Sequence, residues 1–371
     1  MRTVYLDNAA TSFPKPRTVY EALRECVTEY CGNPGRSSHF FAEKTADKVY
    51  EARERVASFL GISNPEQVVF TSGATHSLNI AIKGLINHKC HVIISDVEHN
   101  AVLRPLKSIC ESRGVSISKY DTDLPVKEAI EPLIRDDTEF IVSTLASNLS
   151  GRRIDVAELS RVARAHSLSV IADASQYLGH KPLDLSETPL DVVCAPSHKA
   201  LFGIQGAGFS VLNGNFDITT IIEGGSGSDS FNKRMPDKLP ERLEAGTLPA
   251  PAIISLSEGI RFLSEDYGIN NAEKRLKLLT DAALERLLSI KGVRILSAGN
   301  GIVCFNLKNF HSERVATRLG ECGICVRGGF HCAPSAHIKL GSEKTGAVRI
   351  SFSIFNGISD VDALRASLIE I

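Results

Sequence analysis

The chain has almost no net charge, with 42 Lys and Arg against 43 Asp and Glu over 371 residues. Without a basic excess it has little with which to neutralise phosphates, so nucleic acid is not an expected partner. It also lacks an apolar run long enough to span a bilayer. Asp7 and Asn8 stand where a signal peptide would need its apolar stretch, so no membrane is expected and a cytoplasmic protein is the simplest reading. The nine cysteines are odd in number and scattered through apolar contexts, which argues for reduced thiols rather than a disulfide framework. Neither internal repeats nor low-complexity segments occur. G-x-G-x-x-G is missing too: neither G-A-G at Gly206 to Gly208 nor the loop from Glu223 completes it between a strand and a helix, which disfavours a nicotinamide site.

What is present is enough apolar sequence, 43% of 371 residues, to bury a substantial core and fill two domains. Ala46, Val49, Tyr50, Val56, Phe59 and Leu60 recur at helical spacing, and Gly61 closes that helix. Short apolar strands follow around Val68–Phe70, Val92–Ser95, Phe140–Thr144, Val170–Ala172 and Val192–Ala195, with helices or loops between them. This alternation predicts an α/β fold with a helix-covered, mainly parallel sheet. Beyond Gly246 the pattern changes: two long helices, near Ala250–Leu263 and Ala272–Ser289, precede an alternating strand-and-helix section. The expected division is a large domain over 16–248 and a smaller α+β domain from 1–15 and 249–371. The glycine-rich loop Glu223 to Ser230 lies in between and is read as a segment near a subunit interface.

Two of the strands end in residues with chemical potential. L-S-V-I-A-D runs into D-A-S-Q at Asp173 to Gln176, and L-D-V-V-C-A-P runs into Ser197-His198-Lys199. Side chains at the carboxyl ends of parallel strands converge on one crevice, so Asp173 and Lys199 are expected to face the same cavity. A lysine amine can condense with the aldehyde of pyridoxal 5'-phosphate, and a carboxylate can keep the pyridine nitrogen protonated. T-S-G-A-T at Thr71 to Thr75 opens a predicted helix from Ala74 to Leu85, whose free N–H groups suit a dianionic phosphate.

Six segments then carry a resemblance along nearly the whole chain: Y-L-D-N-A-A-T (Tyr5 to Thr11), G-N-P-G-R-S-S-H (Gly32 to His39), T-S-G-A-T, E-H-N (Glu98 to Asn100), R-G-G-F-H-C-A-P (Arg327 to Pro334) and V-R-I-S-F (Val348 to Phe352). The chain resembles the class V aminotransferase family of fold-type I pyridoxal phosphate enzymes, and within it the cysteine desulfurases and selenocysteine lyases. The resemblance implies a seven-stranded, mainly parallel sheet in the large domain. It implies that the Ala74 backbone and Thr75 hydroxyl hold the cofactor phosphate, that His99 lies flat on the ring, that Asp173 pairs with the ring nitrogen, and that Gln176 bonds the phenolic oxygen. Pro196 cannot donate a hydrogen bond, so either Ser197 or His198 supplies a further phosphate contact. Asn148 matches the residue beside substrate and cofactor, and Lys199 the one that forms the covalent link and handles the Cα proton. Thr247, in E-A-G-T, matches a threonine that reaches the phosphate of a neighbouring subunit, which implies a homodimer.

Arg349 stands in an apolar strand, where a guanidinium is costly unless paired; the family places its binding site for the substrate α-carboxylate here, and Arg327 is expected to orient substrate or loop. Cys332 is flanked by glycines, histidine and proline, so its thiol can be both exposed and mobile. By resemblance it attacks the substrate sulfur, takes a persulfide and releases L-alanine from L-cysteine, with the sulfur passing to an acceptor protein. His331 and His337 are candidates for lowering its thiol pKa. Selenocysteine lyase, acting on L-selenocysteine, is the nearest alternative; another C–S lyase, a racemase and a non-catalytic sulfur-relay scaffold follow. C-G-I-C at Cys322 to Cys325 is read as a helix stop and a strand rather than a metal or redox motif, and no metal is expected.

Overall fold

The computed structural model describes residues 3–35, 37–228 and 230–371. Arg36 of the second family segment and Asp229 of the glycine-rich loop lie outside the described residues. Among the described residues thirteen strands occur in chain order: β1 (Val4–Tyr5), β2 (Val68–Thr71), β3 (His91–Ser95), β4 (Ser116–Tyr120), β5 (Thr138–Thr144), β6 (Ser169–Asp173), β7 (Val192–Pro196), β8 (Gly208–Leu212), β9 (Val293–Gly299), β10 (Ile302–Leu307), β11 (Ile324–Cys325), β12 (Arg327–Gly329) and β13 (Ala347–Ser351). Seven of them form the main sheet in the order β2-β8-β7-β6-β5-β3-β4.

β8 alone runs against its neighbours β2 and β7; every other pairing in that sheet is parallel. The inner strand V-V-C-A-P and the edge strand V-V-F-T are both buried along their length, because helices cover both faces. Separate apolar clusters fill the two sides, one around Phe70, Ile141, Val193 and Phe209, the other around Val69, Val92, Val142 and Cys194. A second, antiparallel sheet has the order β12-β13-β10-β9 and its own cluster around Phe305, Val348 and Leu364.

The five expected strands are all present, with ends shifted by one or two residues. Two more were not anticipated: β4 is an edge strand of mostly half-exposed S-I-S-K-Y, without a buried run to reveal it, and β8 follows a glycine turn. The helix expected to end at Leu263 runs as α-helix to Arg261 and continues as a π-helix through Tyr267. Its successor starts at Ile269, directly after Gly268, rather than at Ala272.

Candidate active site

The carboxyl ends of β2, β3, β5, β6 and β7 open into one cavity of about 270 Å³. It gathers Ala74 and Thr75, His99, Asn148, Asp173 and Gln176, His198 and Lys199. Each is delivered by the segment just beyond a strand, so the parallel sheet itself brings residues far apart in sequence together. A wider groove of about 730 Å³ lies elsewhere, against Glu54, Arg55 and Arg261, and holds none of the sequence-predicted residues.

At one end of the cavity the helix Ala74–Leu85 begins after Gly73 without a side-chain cap. Its first-turn amides are therefore open to an anion. Gly73 has φ +149°, and a Cβ on Gly208 would stand 2.6 Å from the Gly73 Cα, so the strand-to-helix turn can sit this close to β8 only with glycine at both places. His198 and His76 line the same cavity. His198 Nδ1 and His76 Nε2 are buried without a hydrogen-bond partner. Burial, helped by Lys199 and Lys15, pushes His198 down to about 4, and burial also lowers His76, so both rings are neutral at pH 7. Two orphaned ring nitrogens beside free helix amides fit a phosphate group, which would satisfy them.

Ser197 is not brought to the cavity. It is fully buried and its Oγ donates to the Ile204 carbonyl, because the turn after β7 folds it back toward the chain that leads to β8. His198 is the member of that pair which lines the cavity, and its own carbonyl accepts from Ser12 N and Lys15 Nζ, both at 3.0 Å.

Deeper in, Asp173 is 4% exposed and accepts the Ser175 amide at 3.0 Å. Lys199 sits opposite, its remaining accessible surface facing the cavity. Burial lowers Lys199 to about 8; Asp173 opposes that shift, while Arg349 and Arg327 add to it. An amine in this state loses its proton close to neutrality, which suits a nucleophile and proton carrier. His99 caps the helix Asn100–Arg113, its Nδ1 accepting the Ala101 amide at 3.0 Å. Burial lowers its pKa against the pull of Asp173, so the ring is neutral with its proton at Nε2. Gln176 Nε2 donates to the Ala9 carbonyl at 2.8 Å. An aspartate for the ring nitrogen, a lysine for the aldehyde and an imidazole alongside are a donor set that fits pyridoxal phosphate.

The second sheet lies beside this cavity. Arg327 on β12 and Arg349 on β13 are direct cross-strand partners. Arg349 is 1% exposed, and its Nη1 donates to the Asn148 carbonyl at 2.9 Å. The sequence expectation gave it a substrate carboxylate as counter-charge. It already has one: Asp7 Oδ1 accepts from Nη2 at 2.7 Å, leaving Nε buried and unpartnered. Arg327, half-buried, has no ion pair among the described residues.

Cys332 is exposed, on a loop held rather than loose. The Asn148 side-chain amide donates to the His331 carbonyl at 2.8 Å, and the Asn100 amide to the Cys332 carbonyl at 2.8 Å. His331 and Cys332 both take left-handed backbone, φ +53° and +55°, which costs about 1–3 kcal/mol per residue and persists only where surroundings enforce it. The expectation that His331 and His337 assist the thiol is corrected. The rings stack at 5.7 Å, and burial drives His331 down to about 2 and lowers His337. Neutral imidazoles offer no cation to a thiolate.

Thr247 is exposed and does not line the cavity. Its segment is anchored by Glu244, which pairs bidentately with Arg53 at 2.9 Å and accepts the Phe70 amide at 2.6 Å, all buried. Sequence reasoning missed Asp7, His76 and Glu98, although each stands inside or next to a quoted segment. Glu98 is fully buried and takes bonds from Ser95 Oγ and from the Thr144 amide at 2.7 Å. Burial raises it to about 8.

The comparisons agree with this geometry. The family model Aminotransferase class-V matches residues 4–364. The chain belongs to the class-V aminotransferase family. It is 32% identical to a probable cysteine desulfurase of Methanothermobacter thermautotrophicus, covering 99% of this chain and 94% of that one. It is 30% identical to the cysteine desulfurase CsdA of Escherichia coli, covering 97% and 92%. The crystal structure of CsdA superposes with a TM-score of 0.90 at 29% identity over 99% of this chain and 94% of that one. An apo cysteine desulfurase of Thermococcus onnurineus gives 0.89 at 26%, again over 99% and 94%. The fold is accordingly that of the fold-type I enzymes, with a mixed seven-stranded central sheet.

Proposed function

We propose that this class-V enzyme is a pyridoxal phosphate-dependent cysteine desulfurase. It converts L-cysteine to L-alanine and leaves a persulfide on Cys332. The observation that carries the reading is an exposed cysteine held in left-handed backbone, on a loop tied by Asn148 and by the residue after His99 to a cavity that gathers Lys199, Asp173 and His99. Near-full-length similarity to proteins named cysteine desulfurase supports it.

Ala74, Thr75, His76 and His198 would hold the phosphate, Asp173 the ring nitrogen, Lys199 the aldehyde carbon and Gln176 the phenolic oxygen. The bound cofactor supplies an electron sink for the bond-breaking at the substrate Cα. Arg349, with Arg327 beside it, binds the substrate carboxylate. Lys199 removes and returns the Cα proton. The Cys332 thiolate attacks the substrate sulfur; a new S–S bond forms, the C–S bond breaks with its electron pair left on carbon, and that carbon is protonated to give alanine. The persulfide sulfur then passes to an acceptor thiol, in the simplest case on a protein.

The exposed Thr247 supports a homodimer in which it serves the neighbour's phosphate. Separate sheets support two domains, for which the division 16–248 against 1–15 with 249–371 is proposed; the helix Ala250–Arg261 packs its Ile253, Leu256 and Ile260 into the core of the main sheet. Among the described residues no helix is long and apolar enough to cross a membrane, and a cytoplasmic site of action is part of the proposal.

The test is Cys332→Ser. It should eliminate alanine formation from L-cysteine while sparing part of any activity on L-selenocysteine, since selenium leaves with less need of a protein thiol, and the cofactor spectrum should not change. Full L-cysteine turnover in the variant would overturn the assignment.

A further inference from the structure

At the opposite end of the main sheet, where β3 begins, a second group of chemically able side chains converges. The Nε2 of His88, the Sγ of Cys90 and a carboxylate oxygen of Glu139 lie within 4.8 Å of one another. The cofactor cavity stands at the other end of β3, roughly 15 Å away at about 3.3 Å per strand residue. The two groups share no residue.

We propose that His88, Cys90 and Glu139 bind one divalent cation of the borderline-soft, zinc type. Three features separate them from an ordinary surface ion pair. Between β3 and β5 the register runs His91 to Thr138 and then Val92 to Phe140, so Glu139 has no partner across the ladder. Such a bulge re-aims a side chain, and here the Glu139 carboxylate meets His88 Nε2 at 2.8 and 2.9 Å. The other imidazole nitrogen, Nδ1, lies 2.9 Å from the Asn87 side-chain oxygen. That outer bond keeps a proton on Nδ1, so a cation that displaces the Nε2 proton now donated to Glu139 finds Nε2 as its ligand atom, the role second-layer partners play for metal-bound histidines. Finally, the sulfur is buried, and the Cys90 carbonyl is held by the Ser116 amide at 2.9 Å.

The ligand chemistry follows. One thiolate, one imidazole and one carboxylate match zinc preferences, with water as fourth ligand. Bond lengths of 2.0–2.3 Å in a tetrahedron put ligand atoms about 3.5 Å apart, so closure needs movements on the order of 1 Å. His88 is exposed and Glu139 half-exposed, and both can swing onto the fixed sulfur. Besides the ligand Glu139, Asp137 is an anion that acts on Cys90. The same two anions favour an incoming cation, which takes the thiol proton's place and releases it to solvent.

The experiment uses the holoenzyme carrying Cys31→Ser and Cys332→Ser, which removes the two exposed thiols, titrated with cobalt(II). One cobalt per chain should bind, with the intense visible d–d bands of a tetrahedral thiolate-containing site, and one equivalent of zinc should displace it. Adding Cys90→Ser should abolish those bands, and His88→Ala or Glu139→Gln should weaken binding by at least about tenfold. Thermal unfolding of each variant checks that the fold is intact, and Cys90→Ala is the fallback if the serine is not tolerated. Absence of the tetrahedral bands, or cobalt affinity unaltered in both Cys90 variants, overturns the proposal.

Discussion

Arg349→Ala removes two interactions at once, and separating them decides whether this arginine serves the substrate. Within the protein it pairs with Asp7 at 2.7 Å while 1% exposed. Breaking a buried pair by deleting one partner costs about 3–5 kcal/mol of stability, because the other charge is stranded. Asp7 is 22% exposed, so water recovers part of that and the lower end is expected. The substrate contribution is distinct. A charge-assisted contact to a carboxylate is worth about 1.5–3 kcal/mol, which corresponds to about a 10- to 150-fold loss in kcat/KM. The geometry says how both can coexist: Nη1 is engaged by Asn148 and one Nη2 hydrogen by Asp7, while Nε is free. A substrate carboxylate can therefore take Nε and the second Nη2 hydrogen side-on without displacing Asp7. The informative comparison is Arg349→Ala with Asp7→Asn/Arg349→Ala. The double variant should regain much of the lost stability in chemical denaturation, yet keep the full loss in kcat/KM, with cofactor content unchanged in both. If substrate affinity returned along with stability, or never fell in Arg349→Ala, the arginine would be a structural partner of Asp7 alone.

Lys199→Ala should abolish the visible absorption of the lysine-linked cofactor, and borohydride reduction with peptide mapping of the native enzyme should find the label on Lys199; a label on another lysine refutes the assignment. Glu98→Gln tests the buried acid behind His99. Its pKa rises on folding from 4.5 to about 8, so the folded state holds a proton the unfolded chain has lost, and this group's contribution to stability falls by about 1.4 kcal/mol per pH unit within that window. The amide variant should lack that slope in denaturation measured at the two ends of the window, and an unchanged slope would mean that Glu98 ionises normally. Thr247→Ala should weaken cofactor retention if the residue serves a neighbouring subunit; equal cofactor dissociation rates in wild type and variant would remove Thr247 from the site.

The cavity residues were legible because a parallel sheet converts a linear pattern into a place. Apolar runs of four or five residues each end in a polar group, and the topology requires those ends to meet. Lys199 and Asp173 could be paired on that basis, whereas His99 joined them only through the family resemblance. The second sheet offered no such rule. Arg349 could be recognised as a cation needing a counter-charge, but Asp7 lies 342 residues away, and it is the bridge from Asp7 to Ser351, with the bonds of Leu6, Asn8 and Ala9 to the same serine, that brings the amino-terminal segment alongside β13. The burial of Glu98 was hidden for a related reason. It stands among Asp96, His99 and Asn100 in sequence, and what encloses it is the turn after β3, where it bonds Ser95 and Thr144.

Misjudging His331 and His337 has the most general cause. Sequence reports that two imidazoles stand near a thiol, and at pH 7 such neighbours are natural sources of positive charge. Their effect depends instead on desolvation, which falls out of packing. Stacked on each other, with His331 Nδ1 and His337 Nε2 buried and unpartnered, these rings cannot afford a charge. Activation of the thiol therefore has to come from elsewhere. Two cations act on the loop, Arg349 and Arg327, both of which lower His331, and the Arg327 carbonyl lies 3.3 Å from His331 Nε2. The Asn148 side chain and the Asn100 amide hold the loop carbonyls with Cys332 exposed, and in the proposed mechanism that is where the thiol meets the sulfur of a substrate whose carboxylate Arg349 binds.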